Sequence, residues 1–77
     1  MSTLEDYLND LGFQLKQEAT DAKQQLLRAG NAEKAFCEGK LLAYYEVLSL
    51  VLREAATFGI DPEILRLKGF DPDSELT

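Results

Sequence analysis

Few side chains in this sequence are of the types that carry out chemistry. It contains no histidine and a single cysteine, Cys37. The lack of histidine removes the commonest general base, the usual zinc ligand and the Glu-x-x-His pattern of di-iron helical bundles. No glycine-rich loop is placed to hold a phosphate, and no serine or threonine has a recognisable base partner. We therefore expect no catalytic residues, no metal site and no cofactor.

The cysteine, the tyrosines and the acidic residues have plainer interpretations. Cys37 lies in an apolar row, so we predict a small buried side chain rather than a reactive thiol. Tyr44 and Tyr45 are expected at the core and its rim, where each hydroxyl needs a hydrogen-bond partner or water. A solvent-exposed helix face explains most acids of the N-terminal half, namely Glu5, Asp6, Asp10, Glu18 and Asp21.

Size and charge limit what the chain can be. Its 77 residues form one small domain, which buries a small share of its surface and favours oligomerisation. Acidic residues outnumber basic ones by 14 to 8, which opposes binding to nucleic acid or anionic lipid. The single cysteine and the acidic start, which lacks a secretory signal, predict a cytoplasmic protein. The longest apolar run, 41–52, is shorter than the roughly 20 residues that span a membrane.

The first helix is predicted over about residues 3–29. Ser2 and Glu5 fit a capping box at its start. Its apolar residues follow an eleven-residue repeat that keeps them on one side of a nearly straight helix; they are Leu4, Leu8, Leu11, Leu15, Ala19, Ala22, Leu26 and Ala29. Because this row continues past Gly12, we interpret Gly12 as a weak point within one helix rather than as a boundary.

The second helix is predicted over about residues 32–58, with Asn31 as its cap. Gly30 and Asn31 form so short a connection that the two helices must pack as an antiparallel hairpin. Apolar residues cover roughly 200° of the second helix, about twice an ordinary amphipathic stripe. One row contains Cys37, Leu41, Tyr44, Leu48, Val51, Ala55 and Phe58, and a second contains Ala32, Phe36, Ala43, Val47 and Leu50. One hairpin partner cannot cover both rows.

Two similar turns follow the second helix. Residues 59–63 and 69–73 share the order glycine, apolar residue, aspartate, proline and acid. In each turn the aspartate is a predicted N-cap, and the proline suits the first helical position. The first turn is expected to open a short helix over about 62–67, and the second a terminal turn within 69–77. We call residues 59–77 the C-terminal segment.

Three charged residues, Glu33, Lys40 and Glu54, fall within the broad apolar surface of the second helix, where an unpaired charge is costly. Two copies of this helix that cross antiparallel about a two-fold axis at Val47 would pair Lys40 with the partner's Glu54 and Phe36 with the partner's Phe58. Alternatively, Lys40 and Glu54 lie at the rim of the apolar surface with their charged ends in water.

The predicted fold is therefore all-α: an antiparallel helical hairpin plus a short C-terminal helix, dimerising into a four-helix bundle. A parallel arrangement of the two copies stays open as well. The candidate dimer interface consists of Phe36, Lys40, Ala43, Tyr44, Val47, Leu50, Val51, Glu54 and Phe58.

A second candidate surface lies on the first helix. Phe13, Thr20 and Leu27 form a thin line at seven-residue spacing opposite that helix's apolar row. Either the C-terminal segment folds over this line with Ile60, Leu65 and Phe70, or the line helps form a docking patch for a protein partner.

In outline, the hairpin predicted over residues 4–58 resembles the small plasmid copy-number regulators that are dimers of helical hairpins and bind RNA through a basic face. The acidic surface, the eleven-residue repeat and the C-terminal segment depart from them. We expect a non-catalytic protein-interaction or regulatory module that acts as a homodimer and binds an unidentified protein, with no membrane partner. The alternatives are an acidic nucleic-acid mimic or RNA-related regulator that binds a basic partner, and an enzyme or ligand-binding bundle, which would need a deep polar pocket.

Overall fold

A computed structural model of the chain describes residues 3–77. Helix α1 (Thr3–Arg28) and helix α2 (Asn31–Thr57) pack side by side as an antiparallel hairpin. A 3-10 turn (Pro62–Leu65) and the short helix α3 (Pro72–Glu75) follow. The predictions of an all-α chain and a helical hairpin are thus confirmed for the described residues, whereas the capping box depends on Ser2 and lies outside them.

Helix α1 is continuous through Gly12, and its apolar row is buried most deeply near its middle. Ala19 and Ala22 are fully buried in the core, in one cluster with residues of α2 and of the C-terminal segment. Towards the N-terminus the same row emerges from the core, and Leu4 and Leu11 are exposed. The row is therefore well covered in the middle of α1 and poorly covered at its N-terminal end, away from the turn, which we call the open end of the hairpin.

The turn between the helices differs by one residue from the sequence prediction. Gly30 is the N-cap of α2 in an extended conformation (φ −79°, ψ 173°), and its carbonyl accepts from the Glu33 amide at 3.1 Å. Asn31 is already helical, so its predicted role as the cap is wrong. Gly30 fills the cap position because the extended backbone needed for the reversal begins there.

The apolar row of α2 that contains Cys37 forms the other half of the hairpin core. Cys37, Leu41, Leu48 and Ala55 are buried, and Leu48 has no exposed surface at all. Cys37 is a free, buried thiol, as its position in the row predicts. The rest of the broad apolar surface of α2 lies outside this core.

Both predicted aspartate caps of the C-terminal segment are present. The Asp61 carboxylate accepts from the Glu63 amide at 2.9 Å, and the Asp71 carboxylate accepts from the Asp73 amide at 3.0 Å. The first turn is a four-residue 3-10 turn rather than a helix to residue 67, because Arg66 adopts a left-handed conformation (φ 56°) that ends it. This reversal lets the next residue, Leu67, enter the core.

The C-terminal segment is part of the hydrophobic core. Leu65, Leu67, Phe70 and Leu76 are all buried in one cluster with the hairpin residues. A hairpin of two helices alone would leave Leu48 and Ala19 with fewer neighbours than a folded core provides. The segment therefore completes a third layer on one side of the hairpin.

Gly12 allows this layer to reach α1. A β-carbon at Gly12 would lie 1.8 Å from the Leu65 carbonyl oxygen and 2.7 Å from the Leu65 carbonyl carbon. Only a glycine permits that approach, since backbone atoms cannot move aside like the end of a flexible side chain. The glycine that looked like a weak point is thus the contact site between α1 and the 3-10 turn.

Candidate interaction surfaces

The two long sides of the hairpin differ, since the C-terminal segment covers only one of them. Two contacts between a cation and an aromatic ring join the segment to α1. The Arg66 guanidinium of the segment lies 4.4 Å from the centre of the Phe13 ring. The Lys16 ammonium of α1 lies 5.4 Å from the centre of the Phe70 ring. Both distances fall within the range of cation–π attraction. Helix α1 and the C-terminal segment therefore each supply one cation and one aromatic ring to this contact.

Polar contacts fix the far end of the segment. Lys23 Nζ donates to the Glu75 carbonyl oxygen at 2.9 Å. The Tyr45 hydroxyl of α2 donates to the Asp73 carboxylate, and this hydrogen bond raises the pKa of Tyr45. The segment is thus held to α1 and α2 at once, and we call the surface beneath it the covered side.

The other side of α2 carries a stripe of residues that we call the open face. Its members follow steps of three and four residues along the helix and are exposed, except for Lys40, which is half-buried: they are Phe36, Lys40, Ala43, Val47, Leu50, Glu54 and Phe58. Phe36 and Phe58 stand at its two ends, 74% and 73% exposed. Tyr45 is two residues from Val47, about 200° around the helix, so the open face and the covered side are opposed.

An apolar cavity of about 340 Å³ lies at the open end of the hairpin, between the open face and α1. Leu8 and Leu11 of α1 line one part of it, and Leu50 of α2 and the adjacent Phe58 line another. Two residues of the C-terminal segment, Ile60 and Leu65, also contribute to the lining. Glu54 is the one charged residue of its lining. Contiguous apolar surface of this kind marks binding sites on soluble proteins.

The polar groups near the open face are partly paired across the hairpin. Lys40 Nζ donates to Gln25 Oε1 at 3.2 Å. The Tyr44 hydroxyl donates to Glu18 Oε2 at 2.7 Å, and this bond is the main reason that the pKa of Tyr44 is raised. Both predicted tyrosine hydroxyls therefore have a carboxylate partner, and the ammonium of Lys40 is held beside the apolar surface.

The nine residues of the candidate dimer interface lie together on this side of α2. Seven form the open face itself, while Tyr44 and Val51 are half-buried along its edge towards α1. Lys40 and Glu54 lie on either side of Val47, in the order that the symmetric arrangement requires. Glu33, the third charge on the broad apolar surface, is exposed near the hairpin turn.

The three residues of the second candidate surface do not form one continuous exposed patch. Phe13 is half-buried beneath Arg66, whereas Leu27 remains 70% exposed beyond the end of the C-terminal segment. Thr20 is exposed, and its hydroxyl donates to the Lys16 carbonyl of its own helix at 2.9 Å. The segment thus covers one end of the predicted line and leaves the other in solvent.

Within residues 3–77, no group of three or more histidine, cysteine, aspartate or glutamate side chains converges on a metal position. No helix in this range is long and apolar enough to cross a bilayer.

Comparison with family models, curated proteins and solved structures finds no match.

The close contact between Gly12 and Leu65 was missed in the sequence. A signal for it exists, because a glycine inside a helix costs roughly 1 kcal/mol relative to alanine and is usually retained for a packing reason. Nothing in the sequence says which part of the chain approaches it. Arg66, which covers Phe13 from the neighbouring position, was missed for the same reason.

Proposed function

We propose that this protein is a non-catalytic interaction module that works as a homodimer of helical hairpins joined through their open faces. The exposed stripe on α2 carries the proposal. It presents Phe36 and Phe58 to solvent beside an apolar cavity, while the chain's own C-terminal segment covers the opposite side. No other part of the chain within residues 3–77 covers the stripe.

The free energy gained by burying the apolar side chains of the open face supports a second copy as the partner that covers it. Burying one phenylalanine side chain stabilises a complex by about 1.5–3 kcal/mol. A symmetric dimer would bury four such side chains, Phe36 and Phe58 from each copy, together with Val47 and Leu50. That gain is of the size needed to offset the roughly 4–15 kcal/mol lost in association.

A dimer of this kind leaves the outer face of α1 for a further protein partner. Asp6, Asp10 and Asp21 are exposed there, which favours a partner with a basic surface over nucleic acid. The buried free thiol of Cys37 fits a reducing compartment, and we place the module in the cytoplasm.

Sedimentation equilibrium at micromolar concentration tests the proposal. We expect a mass twice the 8.6 kDa of the chain. Val47→Asp, on the open face, should give monomers, because it places an unpaired charge at the centre of the interface. Leu42→Asp is the matched control, since Leu42 is also an exposed apolar residue of α2 but lies off the open face; it should stay dimeric. A monomeric mass for the unaltered protein would refute the proposal.

A further inference from the structure

We infer that the apolar cavity at the open end of the hairpin is the receptor for Phe36 of a second copy, with the second copy's Lys40 seated at Glu54. The inference rests on the proposed dimer and adds what enters the cavity and in which direction the partner helix runs. By symmetry, each copy supplies one such side chain and one such cavity.

The cavity has the size and chemistry for a phenyl ring. Its volume of about 340 Å³ exceeds the ~150 Å³ of an apolar protein cavity that holds benzene. Leucine side chains from both helices line it, and so does Phe58. An entering ring can therefore form an aromatic pair with Phe58, an arrangement that adds to simple burial.

Charge complementarity identifies the ring that enters. Glu54 is one helical turn before Phe58, and Lys40 is one helical turn after Phe36. When two copies of α2 run antiparallel, the cation of one therefore reaches the anion of the other as its Phe36 reaches Phe58. In a parallel pair Lys40 would face Lys40 and Glu54 would face Glu54, and both contacts would be repulsive.

The hairpin turn provides the reciprocal place for the partner's Phe58. A second cavity, of about 500 Å³, lies there between Ala29, Ala32 and Phe36. Lys40 is already held near this end by Gln25. Arg28 and Glu33 also line this cavity, so it is more polar than the one at the open end. Both ends of the open face combine a large exposed ring with a neighbouring cavity, and the stripe itself carries Lys40 towards one end and Glu54 towards the other.

Charge reversal tests the pairing of Lys40 with the partner's Glu54. Lys40→Glu or Glu54→Lys alone should weaken the dimer at least about tenfold, which corresponds to 1.4 kcal/mol. The double variant should return to within about threefold of the unaltered protein. Rescue must occur between chains, because the two residues are 14 positions apart on one helix, or on the order of 20 Å.

Arg53→Glu and Glu46→Lys are the matched controls for these charge reversals. They make the same charge changes at exposed positions of α2 outside the open face. Neither should change the dimer dissociation constant by more than about threefold. Circular dichroism of each variant at a concentration that keeps it monomeric confirms that the hairpin is still folded.

Single cysteines in a Cys37→Ala background test the direction of the partner helix. Val47→Cys should form a disulfide-linked dimer on mild oxidation, since the two-fold axis of the antiparallel dimer passes at residue 47 and places it next to residue 47 of the second copy. Leu50→Cys should not, because it meets its own copy only in a parallel pair. Phe36→Ala should weaken the dimer at least about tenfold, as a large buried ring is lost twice.

Two results overturn the inference in distinguishable ways. If the unaltered protein is dimeric but the double charge reversal does not restore the dimer, the proposed register is wrong and the dimer stands. The same holds if Leu50→Cys forms a crosslink. A monomeric unaltered protein removes both the register and the proposed function.

Discussion

Replacing Gly12 by alanine tests whether the C-terminal segment belongs to the core. In an ordinary helix this substitution is stabilising by roughly 1 kcal/mol, because glycine is the poorer helix former. Here the new β-carbon would stand 1.8 Å from the Leu65 carbonyl oxygen, where 3.4 Å is ordinary contact. Since the obstructing atoms are backbone, either the 3-10 turn withdraws from α1 or the whole segment detaches.

Withdrawal of the 3-10 turn is the smaller of these two responses and sets the lower bound on the loss of stability. Overpacking a core site typically costs about 1–3 kcal/mol, and this cost also includes lost contact between Arg66 and Phe13. If the segment detaches, the burial of Leu65 and Leu67 is lost as well, at about 1.5–3 kcal/mol each. Against a helix gain of roughly 1 kcal/mol, we expect Gly12→Ala to destabilise the protein by up to about 2 kcal/mol if the 3-10 turn withdraws and by about 2–5 kcal/mol if the segment detaches.

Gly39→Ala is the matched control. Gly39 lies within α2, is exposed, and a β-carbon there meets nothing within 4 Å among the described residues. It should stabilise the protein by about 1 kcal/mol. The two variants should then differ in stability by at least about 1 kcal/mol. With each kcal/mol worth about 4–8 °C in a domain of this size, Gly12→Ala should melt at least about 4 °C below Gly39→Ala at equal protein concentration.

Thermal unfolding followed by circular dichroism measures this difference, and trypsin locates it. Cleavage after Arg66 or Lys68 should accelerate in Gly12→Ala and not in Gly39→Ala, since a detached segment is open to the protease. If Gly12→Ala melts at or above the temperature of Gly39→Ala, the close contact between α1 and the 3-10 turn does not exist in solution.

Three further substitutions and one control probe the C-terminal segment and its contacts. Leu67→Ala should cost about 2–5 kcal/mol in urea unfolding, while Leu27→Ala, at an exposed site, should change stability by no more than about 0.5 kcal/mol; equal effects would contradict the packing of the segment. Tyr45→Phe should flatten the pH dependence of the free energy of unfolding above pH ~10. Because the pKa of Tyr45 is raised in the native state, the native hydroxyl keeps its proton to higher pH than the unfolded one, and stability is lost as pH rises through the native pKa. An unchanged slope between pH 9 and 11 would argue against the bond to Asp73. Asp61→Ala should cost about 1 kcal/mol through its lost cap, and no loss would exclude that role.

The local rules of the sequence predicted the hairpin and the turns well. The spacing of Leu41, Leu48 and Ala55 identified the core of α2, and the Asp-Pro pairs identified two caps, because these features depend on residues close together in the chain. Contacts between distant parts were beyond such rules. The approach of Leu65 to Gly12 joins residues more than fifty positions apart, and no periodicity encodes it.

The same limit affects how the broad apolar surface of α2 is explained. Its width predicts more than one neighbour, and the structure places α1 on one part of it and the C-terminal segment on another, where Tyr45 contacts Asp73. Even with both neighbours in place, Phe36, Val47 and Phe58 remain exposed in a single stripe. The segment therefore leaves this stripe uncovered, and in the proposed dimer it determines which side of the hairpin the second copy uses.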